Sequence, residues 1–165
     1  MGKRIVLLLV AAILVLTAGL AGAASLPPQA GGAPPAAATV PADVATHPEC
    51  DNCGMNRGKF SHSRVLITYA DGTTVGTCSI NCAAAMLAER QGQAVTSVQV
   101  GDYNDGTLLA AERALWVIGG DRRGVMTATP KWAFADQAAA AAFIARHGGR
   151  PASYQEVLRA ATDEL

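Results

Sequence analysis

The sequence predicts an α+β domain of two small strand–strand–helix halves, ββαβ-like, packed together behind an export signal and a linker. Three observations predict it. From residue 64 onward, short runs of β-formers alternate with helix-forming runs. One helical run is echoed further along: Ala85–Arg90 aligns with Ala142–His147 at an offset of 57 residues, and the same offset sets Ser79 on Asp136. Ahead of both halves, the composition is that of a leader and a spacer.

Taken in order, Lys3 and Arg4 form a positive tip, an apolar run follows from Ile5 to Leu20, and small residues close it at Ala21–Ala24. This is the layout of a cleavable signal peptide, residues 1–24. Left uncleaved, the run is just long enough to anchor the chain in a membrane. No cysteine stands near the cleavage position, so lipid anchoring is not expected, and the expected location is the periplasm. Residues 25–47 carry five of the eight prolines among Ala and Gly and read as an extended linker. The folded part is then 48–165, with halves at about 48–103 and 104–165.

Within it, Arg64–Tyr69 and Thr73–Thr77 read as a hairpin around Asp71-Gly72. Ser79 reads as the N-cap of a helix over Ile80–Arg90, which Gly92 closes. Val95–Val100 alternates like a half-buried strand, and Trp116–Ile118 is a short strand ended by Gly119-Gly120. Asp136 caps an alanine-rich helix running to about His147. Ser153 and Glu156 form a capping-box pattern for a last helix over Tyr154–Ala161.

Charge excludes one class of function. Without Lys3 and Arg4 the chain holds 11 Lys and Arg against 13 Asp and Glu. It lacks the basic face that nucleic-acid binding needs. Nor does it carry a catalytic triad pattern, a phosphate-binding glycine loop or a zincin motif. No catalytic residue is assigned.

The chemistry lies in four cysteines, all between Cys50 and Cys82. Cys50-x-x-Cys53 can grip one metal ion from a turn. Cys78 and Cys82 straddle a helix start, where N–H groups and the dipole favour thiolate. The second half has Ala135 and Ala139 at the equivalent positions, so the cysteines are an added site rather than scaffold. Soft sulfur ligands select Cu(I), Zn(II) or iron–sulfur clusters. Met55 and Met126 add thioethers, which favour Cu(I), and His62 offers an imidazole. Two alternatives stand beside metal: two disulfides in any of three pairings, since exported cysteines oxidise, or thiol exchange on the Cys-x-x-Cys. Gly54, a poor helix former, weighs against the latter. Asp51, between the first two cysteines, is the carboxylate an organometal lyase would use, and otherwise reads as solvated.

Cys53-Gly54-Met55, the hairpin, Trp116–Gly119, Arg122–Met126 and the Phe143–Gly149 helix end follow one another as in the NosL family, accessory proteins of nitrous-oxide reductase. The chain resembles that family over about residues 48–165. The resemblance implies a periplasmic Cu(I) chaperone supplying a copper enzyme or its maturation proteins. It carries the family's cysteine and methionine onto Cys53 and Met55, its downstream methionine onto Met126, and a histidine onto His62. The pair Cys78 and Cys82 departs from the family. With Cys-Gly-Met it is similar to the metal-binding TRASH/YHS modules, which opens the substrate to storage or sensing of another thiophilic metal.

Overall fold

A computed structural model describes residues 39–165. The expected signal peptide and most of the expected linker lie outside the described residues. Among the described residues, no helix is long and apolar enough to cross a membrane.

The chain opens with α1 (Ala42–Thr46). The first half follows as β1 (Val65–Tyr69), β2 (Thr74–Thr77), α2 (Ile80–Glu89) and β3 (Val95–Gly101), with β4 (Leu108–Ala110) added at its edge. The second is β5 (Leu115–Ile118), β6 (Lys131–Phe134), α3 (Gln137–His147) and β7 (Arg150–Ala152), and α4 (Tyr154–Thr162) ends the fold. The two antiparallel sheets run β2-β1-β3-β4 and β6-β5-β7. The first strand of each ββαβ unit is therefore central, between its hairpin partner and the strand returning from the helix. The expected α+β class with two similar halves is the observed one.

The echo extends to the caps. The Ser79 hydroxyl accepts from the Cys82 N–H, and the Asp136 carboxylate accepts from the Ala139 N–H, 57 residues later in each case. Ser153 caps α4 through the Glu156 N–H. Each short side chain satisfies a donor that the first helical turn leaves open.

Two expected boundaries are corrected. The linker does not run to residue 47: α1 buries Val44 and sets Asp43 between two buried arginines, Arg57 and Arg64. A Pro/Ala-rich composition hid this, because five residues with one apolar anchor leave no periodicity to read. The first half does not end at 103 either, since β4 pairs with β3 through Gln99–Ala110, Val100–Leu109 and Gly101–Leu108. His47 is held by the Thr74 hydroxyl at 2.8 Å and the Asp51 carboxylate at 3.1 Å.

The halves share one core. Val65, Ile67 and Val75 of the first sheet pack with Ile80, Ala83, Trp116, Ala133 and Val157. Successive residues of a strand point to opposite faces. Trp116 and Ala133 thus face the shared core, while Val117, Trp132 and Phe134 face a second cluster under α3 with Ala140 and Phe143. The second sheet is buried on both faces, and the first half with α4 covers the side away from α3.

Candidate metal centre

The site is a turn facing a helix start. In the turn, the Cys50 N–H donates to the Met55 carbonyl and the Gly54 N–H to the Cys50 carbonyl, both at 2.8 Å. Gly54 takes φ +76°, a left-handed value that glycine adopts without steric cost. The chain thereby reverses within six residues and turns Cys50, Cys53 and Met55 towards Cys78 and Cys82.

Asp51 fastens this turn to β2. Its N–H donates to the Gly76 carbonyl at 2.8 Å, and its carboxylate accepts the Gly76 N–H at 2.7 Å. Gly76 is two residues before Cys78, so the two hydrogen bonds fix one cysteine pair against the other. Arg57, fully buried, spends its guanidinium on the same junction. It donates to the carbonyls of Thr77, Asp43, His47 and Val65 and to the Asp43 carboxylate, at 2.7–3.1 Å. A Cβ on Gly76 would lie 2.6 Å from the His47 Cβ and 2.7 Å from the Arg57 Cζ. Gly76→Ala is therefore expected to cost about 1–3 kcal/mol by overpacking, measured as a fall in the denaturant midpoint. An unchanged midpoint would show that the junction has room to yield.

The four cysteines meet. All are free, and their Sγ atoms lie within 4.8 Å of one another. Cys53 and Cys78 are 3.6 Å apart, and Cys78–Cys82 and Cys82–Cys53 are each 3.7 Å. Four thiolates about 2.3 Å from one ion would stand about 3.8 Å apart, the edge of a tetrahedron. A disulfide requires about 2.05 Å. Cys53, Cys78 and Cys82 stand at about that spacing, and Cys50 completes the group within 4.8 Å, so the four could hold a common ion. Met55 adds its thioether at the edge, with Sδ 4.0 Å from the Cys78 Sγ.

Three of the cysteines are buried and Cys53 is partly exposed, so the centre opens at that corner. The sulfurs titrate together. Hydrogen bonds from Cys78 and Cys82, helped by the N–H groups of Cys53 and Cys78, hold Cys50 far below an ordinary thiol. Hydrogen bonding to Cys50 pushes Cys78 up and Cys82 up to about 11. One sulfur is the acceptor for its neighbours, and each further thiolate is resisted by those present. A cation at the centre removes that resistance and displaces the remaining protons.

Of the seven residues the sequence singles out, the structure brings together Cys50, Cys53, Met55, Cys78 and Cys82. His62 stands outside the four-sulfur group. Its ring packs among Phe60, Tyr103 and Trp132, with centroids 6.3, 6.1 and 5.7 Å away. Burial and the nearby Arg122 charge hold its imidazole below the usual value, hence neutral. Met126 is half exposed on a left-handed backbone, φ 51°, while its neighbour Val125 packs against the cysteines. That φ is costly for a side chain with a Cβ. The following turn is pinned by Glu164, which accepts from the Thr127 hydroxyl, the N–H groups of Ala128 and Thr129, and Lys131. Sequence reading missed Arg57, Asp43 and the fastening role of Asp51. Nothing in their spacing distinguishes them from surface charge.

The NosL family model matches residues 41–162. Among solved structures, the copper chaperone NosL from Shewanella denitrificans is 25% identical, with TM-score 0.55, over 68% of this chain and 90% of that one. The solution structure of apo-NosL from Achromobacter cycloclastes is 24% identical, with TM-score 0.41, over 59% of this chain and 87% of that one. No curated protein sequence matches. The match spans both ββαβ halves and all four cysteines: the chain belongs to the NosL family.

Proposed function

We propose that the chain is an exported Cu(I) carrier that supplies copper to a periplasmic copper enzyme of the nitrous-oxide-reductase type, directly or through its maturation proteins. The observation that carries this reading is the convergence of four thiol sulfurs and one thioether at a single partly open centre. Such donors are soft, and Cu(I) accepts thiolate and thioether alike. Family membership supports copper as the cargo, since the Shewanella denitrificans relative is described as a copper chaperone. Cys53 and Met55 lie at the open corner and serve as the ligands through which copper arrives and leaves. Cys50, Cys78 and Cys82 complete the site from below. Met126, half exposed and next to Val125 that packs against the cysteines, is a further thioether that copper could meet in passing. The residues hold and release an ion by ligand exchange, and no bond of an organic substrate is made or broken.

Anaerobic titration of reduced protein with Cu(I), against bathocuproine disulfonate, tests the reading. One Cu(I) per chain is expected, with affinity lowered at least about tenfold by Cys53→Ala combined with Met55→Ala. Absence of binding, or binding indifferent to both changes, would overturn it.

The gathering of four cysteine sulfurs within 4.8 Å favours a second reading, storage or sensing of a divalent thiophilic ion such as Zn(II). Closed four-thiolate sites are typical of that ion. Zn(II) that Cu(I) fails to displace would support storage over copper carriage.

A further inference from the structure

The cysteines belong to the first half, but part of their cover comes from the second. Cys50, Cys78 and Cys82 are buried, and the apolar groups packed against them are Cys53, Met55, Phe60 and Val125. Of these four, Val125 stands in the second half, in the loop between β5 and β6, and it also packs against the cluster under α3. The polar anchor of that loop is Glu164, just beyond α4. Its carboxylate accepts from the Thr127 hydroxyl at 2.7 Å, the Ala128 and Thr129 N–H groups at 3.1 Å, the Lys131 ammonium at 3.0 Å and the Asn81 amide at 2.7 Å. Asn81 directly precedes Cys82 in the first turn of α2, and its oxygen accepts from the buried Lys131 at 3.1 Å. One carboxylate thus ties the residues just after Val125 to the helix turn that carries Cys82.

We infer that Glu164 is a positioning residue for the sulfur centre: it holds the Val125 loop down on the buried thiols, so that metal ions and thiol reagents enter and leave past Cys53. Its part in copper exchange rests on the carrier reading, whereas its control of access to the thiols does not. The anchor is sensitive to a single atom. All five of its partners donate, and an ionised carboxylate only accepts. In Glu164→Gln an NH2 group replaces one oxygen and must face donors. The loop then loses charge-assisted bonds, and Val125 lifts from the sulfurs by local opening rather than by unfolding of the domain.

Reduced, metal-free protein is alkylated with iodoacetamide to low conversion, and each cysteine is followed by peptide mass spectrometry. In the wild type Cys53, partly exposed, should react first, and the buried Cys50, Cys78 and Cys82 slowly. Glu164→Gln is expected to speed the slow thiols at least about tenfold, because hydrogen bonds to charged groups are the strong ones. Val125→Ala should speed them with the anchor intact, and the two changes together should add little, since they open one cover. Ile67→Val, which removes a buried methylene from the first sheet, is the control for lost stability. Slow thiols indifferent to Glu164→Gln, or indifferent to Val125→Ala, would overturn the inference. Equal acceleration in Ile67→Val at equal loss of stability does the same, because the domain is then unfolding as a whole. In a second arm, copper-loaded protein is mixed with excess bathocuproine disulfonate, and release should quicken in Glu164→Gln and Val125→Ala alike. Thiols that open while copper release stays unchanged overturn the role in exchange. Protein that binds no copper fails the carrier reading alone, and the alkylation arm still decides whether Glu164 holds the cover.

Discussion

Cys78→Ser is expected to lower Cu(I) affinity by at least about a hundredfold while leaving the metal-free fold in place. The Cys78 Sγ is 3.6 Å from that of Cys53, 3.7 Å from that of Cys82 and 4.0 Å from the Met55 Sδ, the most connected sulfur of the group. Changing the partners that merely orient metal ligands costs about 10–100-fold. Replacing a direct soft donor by a hard hydroxyl costs no less, because oxygen does not substitute for sulfur towards Cu(I). The fold should stand because the backbone here is held independently of the thiol. The Cys78 carbonyl accepts the Ser63 hydroxyl at 2.8 Å, and Ser79 caps α2. Chelator competition and the apo thermal midpoint, measured together, check both halves of this expectation. An affinity within a few-fold of wild type would move copper out of the thiolate group.

The second large effect concerns stability. Asp43→Ala is expected to destabilise the domain by about 3–5 kcal/mol, the cost of stranding a buried charge. The Asp43 carboxylate accepts from Arg57 Nη2 at 2.8 Å, Arg64 Nε at 2.8 Å and Arg64 Nη2 at 3.0 Å. Both arginines are at most 2% exposed, so water cannot replace the lost partner. Burial raises the Asp43 pKa, but the hydrogen bonds and charges of Arg64 and Arg57 outweigh it and hold the carboxyl below its ordinary range. A depressed folded pKa contributes stability above the unfolded value, near 3.8, and loses it as pH falls through the folded value. The variant should accordingly show a weaker dependence of stability on pH in that acid window. Denaturant titrations at neutral and acid pH read both effects. A loss under about 1 kcal/mol would show that the arginines satisfy themselves on carbonyls alone. Copper affinity should fall as well, since Arg57 holds the His47 and Thr77 carbonyls, which lie shortly before the two cysteine pairs in the chain.

Much of this was legible in the sequence, for local reasons. Ser79, Asp136 and Ser153 read as caps because a short oxygen ahead of a helical run satisfies an open N–H, and all three do so. The repeat at an offset of 57 showed the second half carrying alanine where the first carries Cys78 and Cys82. β4, β6 and β7 were not individually legible. Each is three or four residues long, and β7 contains Pro151. Such strands exist because a neighbour offers an edge, not because of their own pattern.

The sequence by itself determined which donors this protein has, how they are paired along the chain, and that no second set accompanies the repeat. Cysteine spacing is local and covalent, and so is the helix start that receives Cys82. Only the tertiary structure brought the two pairs together, with all four sulfurs within 4.8 Å of one another. That result depends on contacts between segments 20 to 25 residues apart, Asp51 with Gly76 and Arg57 with Thr77. It likewise decided that Met55 joins the sulfurs, while His62 settles among aromatic rings and Met126 stays half exposed. Residue type sets what an atom can bind. Packing sets how far apart the atoms are, and a metal responds to distance.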